Sequence, residues 1–283
     1  MAVRALALAA LAARAASDRF AAYDPTTALR RVHESGAAYC PAAAVANWTC
    51  PPCVASGTRL SHVVSLSNAS TQVLGFVGLD AAQSPAEVVV SFRGSETLEN
   101  WLFDFDIELI PHAGCANCSV HRGWAESLDS VRAELFAAVR AALAAAPTAV
   151  VVFTGHSLGA ALSELAAFEM ARAGLPVASL VTFGAPRVGN AAWAAAWAAE
   201  AVPRGAAFRV VHRFDPVPRL VPRFLGGYTH PPTEVWYEAE TGDAFQVCAA
   251  SDGEDPTCSD SDLPIDAKDH DTYLGVALGE VVC

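Results

Sequence analysis

Gly155-His156-Ser157-Leu158-Gly159 follows directly on the apolar run Ala149-Val150-Val151-Val152-Phe153-Thr154 and leads into an Ala/Leu-rich stretch with helical spacing. A buried strand that ends in Gly-x-Ser-x-Gly and turns at once into a helix predicts a tight elbow with the serine at its tip. Glycines are needed on either side because the two backbones pass close together and the serine is held in strained dihedrals. Ser157 is therefore the candidate nucleophile. His156, its chain neighbour, aims its side chain in another direction, so the base must come from elsewhere. The five-residue pattern alone arises by chance in Ala/Gly-rich sequence; the strand before it and the helix after it separate this occurrence from a chance one.

The rest of the chain supplies an α/β frame for that elbow. Glu87-Val88-Val89-Val90-Ser91-Phe92 reads as a buried strand ended by Arg93-Gly94-Ser95. From Gly123 to Ala146 the apolar positions Leu128, Val131, Leu135, Val139 and Leu143 recur at helical steps, and Pro147 stops the helix. Val177 to Phe183 is a further strand, Asn190 to Ala201 an Ala/Trp helix, and Phe208 to His212 another strand. Strands alternating with helices imply a mostly parallel central sheet covered on both faces. The 283 residues suffice for one large domain. Residues 16–283 show no linker and no internal repeat. The segment Ala249 to Lys268, acidic and rich in Ser and Asp, is expected to be a solvated loop.

Charge and cysteine content narrow the class. A net charge of −12 leaves no basic stripe to neutralise phosphates and disfavours adsorption on anionic membranes. Met1-Ala2-Val3-Arg4, the charge-free Ala5 to Ala13, and Arg14-Ala15-Ala16-Ser17 predict a secretory leader cleaved after Ala15. The charge-free stretch Ala141 to Ser163 is divided by Pro147, Gly155 and Gly159, so no membrane span is expected. Eight cysteines suit an oxidised, secreted protein, with partners left open by the sequence. Cys50-Pro51-Pro52-Cys53 and Cys115-Ala116-Asn117-Cys118 are too far apart for common zinc-ribbon spacing, so no metal site is expected. Asn47, Asn68 and Asn117 open glycosylation sequons.

A serine nucleophile needs a base and an acid to orient that base. Around an elbow of this kind the chain order is Ser, then Asp or Glu, then His. Asp215, after a strand and before Pro216-Val217-Pro218, is the best acid downstream of Ser157. Order then leaves His230 and His270 as bases. His270 lies late, in Asp269-His270-Asp271-Thr272-Tyr273-Leu274 before an apolar terminal segment, and is preferred. His230 leads into the strand Val235-Trp236-Tyr237, a structural position. An oxyanion hole needs two donors. The backbone N–H of Leu158 is one, and Ser95 is the candidate for the other.

Phe92-Arg93-Gly94-Ser95, Asn100-Trp101, His121-Arg122-Gly123-Trp124, Gly155-His156-Ser157-Leu158-Gly159, Thr182-Phe183-Gly184-Ala185-Pro186-Arg187-Val188-Gly189-Asn190 and Asp215-Pro216-Val217-Pro218 together resemble the class 3, fungal-type lipase family of the α/β-hydrolase superfamily. The likeness runs roughly from Cys40 to Cys283. It implies an α/β-hydrolase fold, a Ser157-Asp215-His270 triad, an oxyanion hole of Ser95 and Leu158, and no cofactor. Pairing of Cys40 with Cys283, Cys50 with Cys53 and Cys248 with Cys258 is likewise implied. Cys115 and Cys118 are additional to the family pattern, and a local pairing is expected for them. The segment Glu96 to Ile110 corresponds to the family's lid. Its Leu98, Trp101, Leu102, Phe103 and Phe105 offer apolar surface, while alternation from Trp101 to Leu109 also permits a strand. The function expected is hydrolysis of lipid carboxylic esters, acylglycerols first, by a secreted monomer at a lipid–water interface. A feruloyl-type esterase, a galactolipid or phospholipid acyl hydrolase, and a silent hydrolase-fold binding protein are the alternatives.

Overall fold

The computed structural model describes residues 22–95, 107–203, 206–239, 244–249, 251, 253–261, 265–279 and 282–283. The leader expected at residues 1–15 and the lid residues Leu98, Trp101, Leu102, Phe103 and Phe105 lie outside the described residues.

Eight strands form the central sheet, and their spatial order is their chain order: Ser61–Asn68, Val73–Asp80, Glu87–Phe92, Val150–His156, Val177–Phe183, Ala207–His212, Glu234–Tyr237 and Gln246–Val247. The five strands from Glu87–Phe92 to Glu234–Tyr237 run parallel, whereas the first two and the last are antiparallel to their neighbours. The strands expected from the valine-rich runs fall where those runs lie. The antiparallel pair Ser61–Asn68 and Val73–Asp80 escaped notice because Ser61–Asn68 mixes exposed and half-buried positions and lacks an apolar run.

Alternation along the strands sorts the core into two layers. Val88, Val90, Phe92, Val151, Phe153 and Leu180 face the helices Arg122–Ala145, Leu158–Arg172 and Ala191–Glu200. Val89, Val150 and Val152 face the opposite way, as do Val181 and Phe183, which pack with Ala28 and Val32 of the helix Pro25–Ala37. Helix Arg122–Ala145 buries Leu128, Val131, Leu135 and Val139 on one stripe. Helix Leu158–Arg172 is buried on nearly every side, which its alanines and Gly159 permit. Burial pushes the Glu164 carboxyl within it up to about 8 against the opposing influence of Arg209. Among the described residues, no helix is long and apolar enough to cross a membrane.

Four disulfides join Cys40 to Cys283, Cys50 to Cys53, Cys115 to Cys118 and Cys248 to Cys258. Thiols oxidised in this way cannot ligate zinc. Cys40–Cys283, separated by 243 positions, ties the segment after the helix Pro25–Ala37 to the last residue of the sequence. Closing so long a loop restricts the unfolded chain by about 5–6 kcal/mol in the chain-entropy view. Replacing both Cys40 and Cys283 by serine is expected to lower the melting temperature by roughly 5–10 °C in calorimetry.

Two segments depart from expectation. The acidic segment around Glu254 is not simply solvated: Glu254 is only 6 % exposed and grips the Arg187 guanidinium with both oxygens at 2.8 and 2.7 Å. It also accepts from the His230 N–H at 2.7 Å, and a Cβ on Gly253 would lie 2.0 Å from the His230 carbonyl oxygen. Buried arginines at 187 and 209 require carboxylate and carbonyl partners, and this acidic segment supplies them. Second, the last residues of the segment expected as the lid enter a strand. Leu109–Pro111 is a strand paired with Ser119–His121 in a small four-stranded sheet. Preceding it, Glu108 pairs with Arg122 and the Ile107 carbonyl accepts from the Tyr228 hydroxyl at 3.2 Å.

Candidate active site

The candidate residues collect at the carboxyl ends of the parallel strands, where the turns after Phe92, His156, Phe183 and His212 converge. The strand Val150–His156 runs through Gly155 and His156 before the chain reverses at Ser157, whose φ of 58° and ψ of −129° belong to a region that side-chain-bearing residues avoid. The Ser157 N–H donates to the Phe183 carbonyl at 3.0 Å, and its own carbonyl accepts from Ala160 N–H at 2.9 Å. A Cβ at Gly159 would stand 2.0 Å from the Phe92 carbonyl oxygen, and one at Gly155 would stand 2.4 Å from the Gly159 oxygen. Both glycines are required by backbone contact, as the motif implies.

Asp215 follows the strand Ala207–His212 and is almost completely buried. One carboxylate oxygen, Oδ1, accepts the Val217 N–H at 2.8 Å. The other, Oδ2, accepts from His270 Nδ1 at 2.8 Å and from the Tyr273 hydroxyl. His270 is carried by a short 3-10 turn, Ala267–Asp271, which Asp266 caps. That turn is laced to the acid's loop: Asp269 accepts the Phe214 N–H at 3.1 Å, and the Asp266 N–H donates to the Phe214 carbonyl at 3.0 Å. With a proton on Nδ1, the lone pair of His270 lies on Nε2, which has no hydrogen-bond partner among the described residues. Gly184, at φ +60°, lies beneath this pair, and a Cβ there would meet His270 Cε1 at 2.8 Å and Asp215 Oδ2 at 2.9 Å.

His230 is elsewhere. Its ring is buried, Nε2 bonds the Pro218 carbonyl at 2.8 Å, and burial, with Arg209 and Arg187 nearby, holds it well below the ordinary histidine range. Ser95 follows Gly94, where a Cβ would lie 2.8 Å from that of Ser157, so the turn after Phe92 passes against the serine. Leu158 opens the helix Leu158–Arg172, whose first-turn amides point back toward the elbow. A hydroxyl on a strained elbow, an imidazole whose Nε2 has no partner among the described residues and a buried carboxyl group behind it form an arrangement capable of acyl transfer.

Residues 89–225 match the family model described as Lipase (class 3). The secreted mono- and diacylglycerol lipase 1 of Fusarium solani is 37% identical over 219 residues, covering 75% of this chain and 63% of that protein. The lipase of Rhizomucor miehei is 32% identical over 201 residues, covering 69% and 54%. Among solved structures, the Rhizomucor miehei lipase propeptide complex superposes with a TM-score of 0.79 at 30% identity, covering 90% of this chain and 80% of that one. The chain belongs to the class 3 lipase family. A triacylglycerol lipase whose catalytic centre is a serine protease triad is a further structural neighbour, with a TM-score of 0.81 at 28% identity. This class 3 lipase chain spans less than two thirds of the length of the curated relatives named above, 63% and 54%.

Two side chains in this class 3 lipase site carried no signal that the motifs revealed. Tyr273 shares Oδ2 of Asp215 with His270; its place three residues after the histidine was the only hint. Tyr39, far upstream, contacts the elbow through His156 and Gly94. Neither belongs to a run that sequence spacing singles out.

Proposed function

We propose that this chain is a secreted serine hydrolase that cleaves the carboxylic ester bonds of acylglycerols through an acyl-enzyme on Ser157. The observation that carries this is the His270 Nδ1–Asp215 Oδ2 bond of 2.8 Å beside the strained Ser157 elbow. His270 Nε2 takes the proton from Ser157 Oγ as that oxygen attacks the acyl carbon. The oxyanion that forms is held by the N–H groups of Leu158 and Ser95, each contributing about 3 kcal/mol in the transition state. Asp215 stabilises the imidazolium. Collapse breaks the ester bond, and His270 returns the proton to the departing alcohol. A water molecule then gives its proton to His270 and attacks the acyl-enzyme, and the fatty acid is released as His270 passes that proton to Ser157 Oγ.

Residues 16–283 act as one domain in this scheme, following removal of residues 1–15, and the secreted relatives support that destination. Exposed Asn47 and Asn117 and half-buried Asn68 are the glycan acceptors. The acylglycerol preference rests on relatives named mono- and diacylglycerol lipases.

Its test is a panel of emulsified acylglycerols, monomeric short-chain esters, galactolipid and feruloyl ester, with Ser157→Ala as control. Acylglycerol is expected to give the highest kcat/KM. A feruloyl ester exceeding every lipid would contradict the proposal.

A further inference from the structure

His156 occupies the variable position of the elbow motif, yet it is buried and hydrogen-bonded at both ring nitrogens. Nδ1 lies 2.7 Å from the Tyr39 hydroxyl, and Nε2 lies 2.9 Å from the main-chain carbonyl oxygen of His270. The Tyr39 hydroxyl in turn accepts the Gly94 N–H at 3.1 Å. The two ends of this chain fix its direction. A carbonyl can only accept, so His156 Nε2 carries a proton and donates it to His270. The neutral ring then offers a lone pair at Nδ1, so Tyr39 must donate there. Its oxygen is left to accept from Gly94, whose N–H can only donate. With the ring neutral, all three bonds are satisfied in this sense alone.

We propose that Tyr39 and His156 are positioning residues: through this directional relay they hold the Gly94–Ser95 oxyanion turn in register with the general base His270. The proposal rests on the ester-hydrolase mechanism above and assigns two residues that the triad does not include. Neither touches the reacting atoms. Each end of the relay belongs to a turn whose placement matters to the reaction: Gly94 precedes an oxyanion donor, and the His270 carbonyl belongs to the residue that moves the proton. The close fit is independent of the hydrogen bonds, because a Cβ on Gly94 would lie 2.4 Å from the Tyr39 hydroxyl oxygen and 2.8 Å from Ser157 Cβ. Burial keeps His156 well below the ordinary histidine range, with His270 adding to the effect, and burial raises Tyr39, so both stay neutral as the relay requires.

His156 also lies against the His270 ring, with centroids 4.4 Å apart. Ring packing and hydrogen bonding are separable by substitution. His156→Gln keeps an acceptor and a donor at similar spacing but loses the ring; His156→Phe keeps a ring and loses both bonds. Tyr39→Phe removes one hydroxyl and leaves the ring.

The test measures kcat, KM and melting temperature of the full chain on a monomeric short-chain ester. Tyr39→Phe is expected to lower kcat about ten-fold, the equivalent of one hydrogen bond, with KM within about two-fold of wild type. His156→Gln should be more active than His156→Phe, at matched melting temperatures. The Tyr39→Phe/His156→Phe pair should be no slower than His156→Phe alone, because the two act in series. Unchanged kcat in Tyr39→Phe, or greater activity in His156→Phe than in His156→Gln, would overturn the relay. A folded wild type that hydrolyses no ester and leaves Ser157 unlabelled by a fluorophosphonate would overturn the hydrolase mechanism itself, a result distinguishable from either.

Discussion

Ser157→Ala is expected to lower kcat for acylglycerol hydrolysis by about 10^5 to 10^6, leaving KM and the melting temperature close to wild type. The size follows from serine hydrolases in general, where loss of the nucleophile removes covalent catalysis and leaves only the oxyanion hole and substrate binding. The fold should tolerate the change. The elbow is held by main-chain bonds from Ser157 N–H to Phe183 and from Ala160 N–H to Ser157, and by the absence of side chains at Gly155 and Gly159. None of these is touched. Steady-state kinetics alongside calorimetry checks it: a residual rate within ten-fold of wild type would mean that another group is the nucleophile.

Asp215→Asn carries the second large effect, a loss of about 10^4 in kcat by comparison with the equivalent change in serine proteases. Here the reason is visible in the number of donors around the carboxylate. Oδ2 accepts from both His270 Nδ1 and Tyr273, while Oδ1 accepts from Val217 N–H. An asparagine can turn its oxygen toward one side only. If the amide NH2 faces His270, the imidazole is driven to the wrong tautomer and Nε2 can no longer take a proton. If it faces Val217, a buried backbone donor loses its acceptor, costing about 1–3 kcal/mol of stability. That cost favours the rotamer that turns the NH2 toward His270, so the loss of kcat is expected with little change in stability, and kinetics with thermal unfolding reads both. A variant within ten-fold of wild type in kcat would contradict the role given to Asp215.

Where the sequence was informative, the reason was periodicity or a motif enforced by backbone contact. The valine runs at 87–92, 150–156 and 177–183 are buried on both faces and so read as unbroken apolar strands. Gly155, Gly159 and Gly184 are demanded by atoms within 3 Å of a would-be Cβ, which is why the motif glycines could be interpreted. The chain order Ser, Asp, His reduced the choice of base to two histidines, and the geometry around His270 and His230 distinguishes them. What the sequence withheld depends on long-range polar contacts. Tyr39 meets His156 across 117 positions, and buried Arg31 in the helix Pro25–Ala37 pairs with Glu87 on a strand. Glu254 gave no sign of burial because its segment has the composition of a loop; only Arg187, 67 positions away, explains it. Composition describes what a segment tolerates, whereas the buried cations decide what docks on them.

Intact-mass analysis after exposure to a fluorophosphonate tests the central claim most directly. The folded wild type is expected to gain one adduct, localised by peptide mapping to Ser157, and His270→Ala should slow its formation by orders of magnitude because the serine then lacks its base. No adduct on the folded protein, an adduct elsewhere, or labelling at an undiminished rate in His270→Ala would contradict the Ser157-His270-Asp215 mechanism.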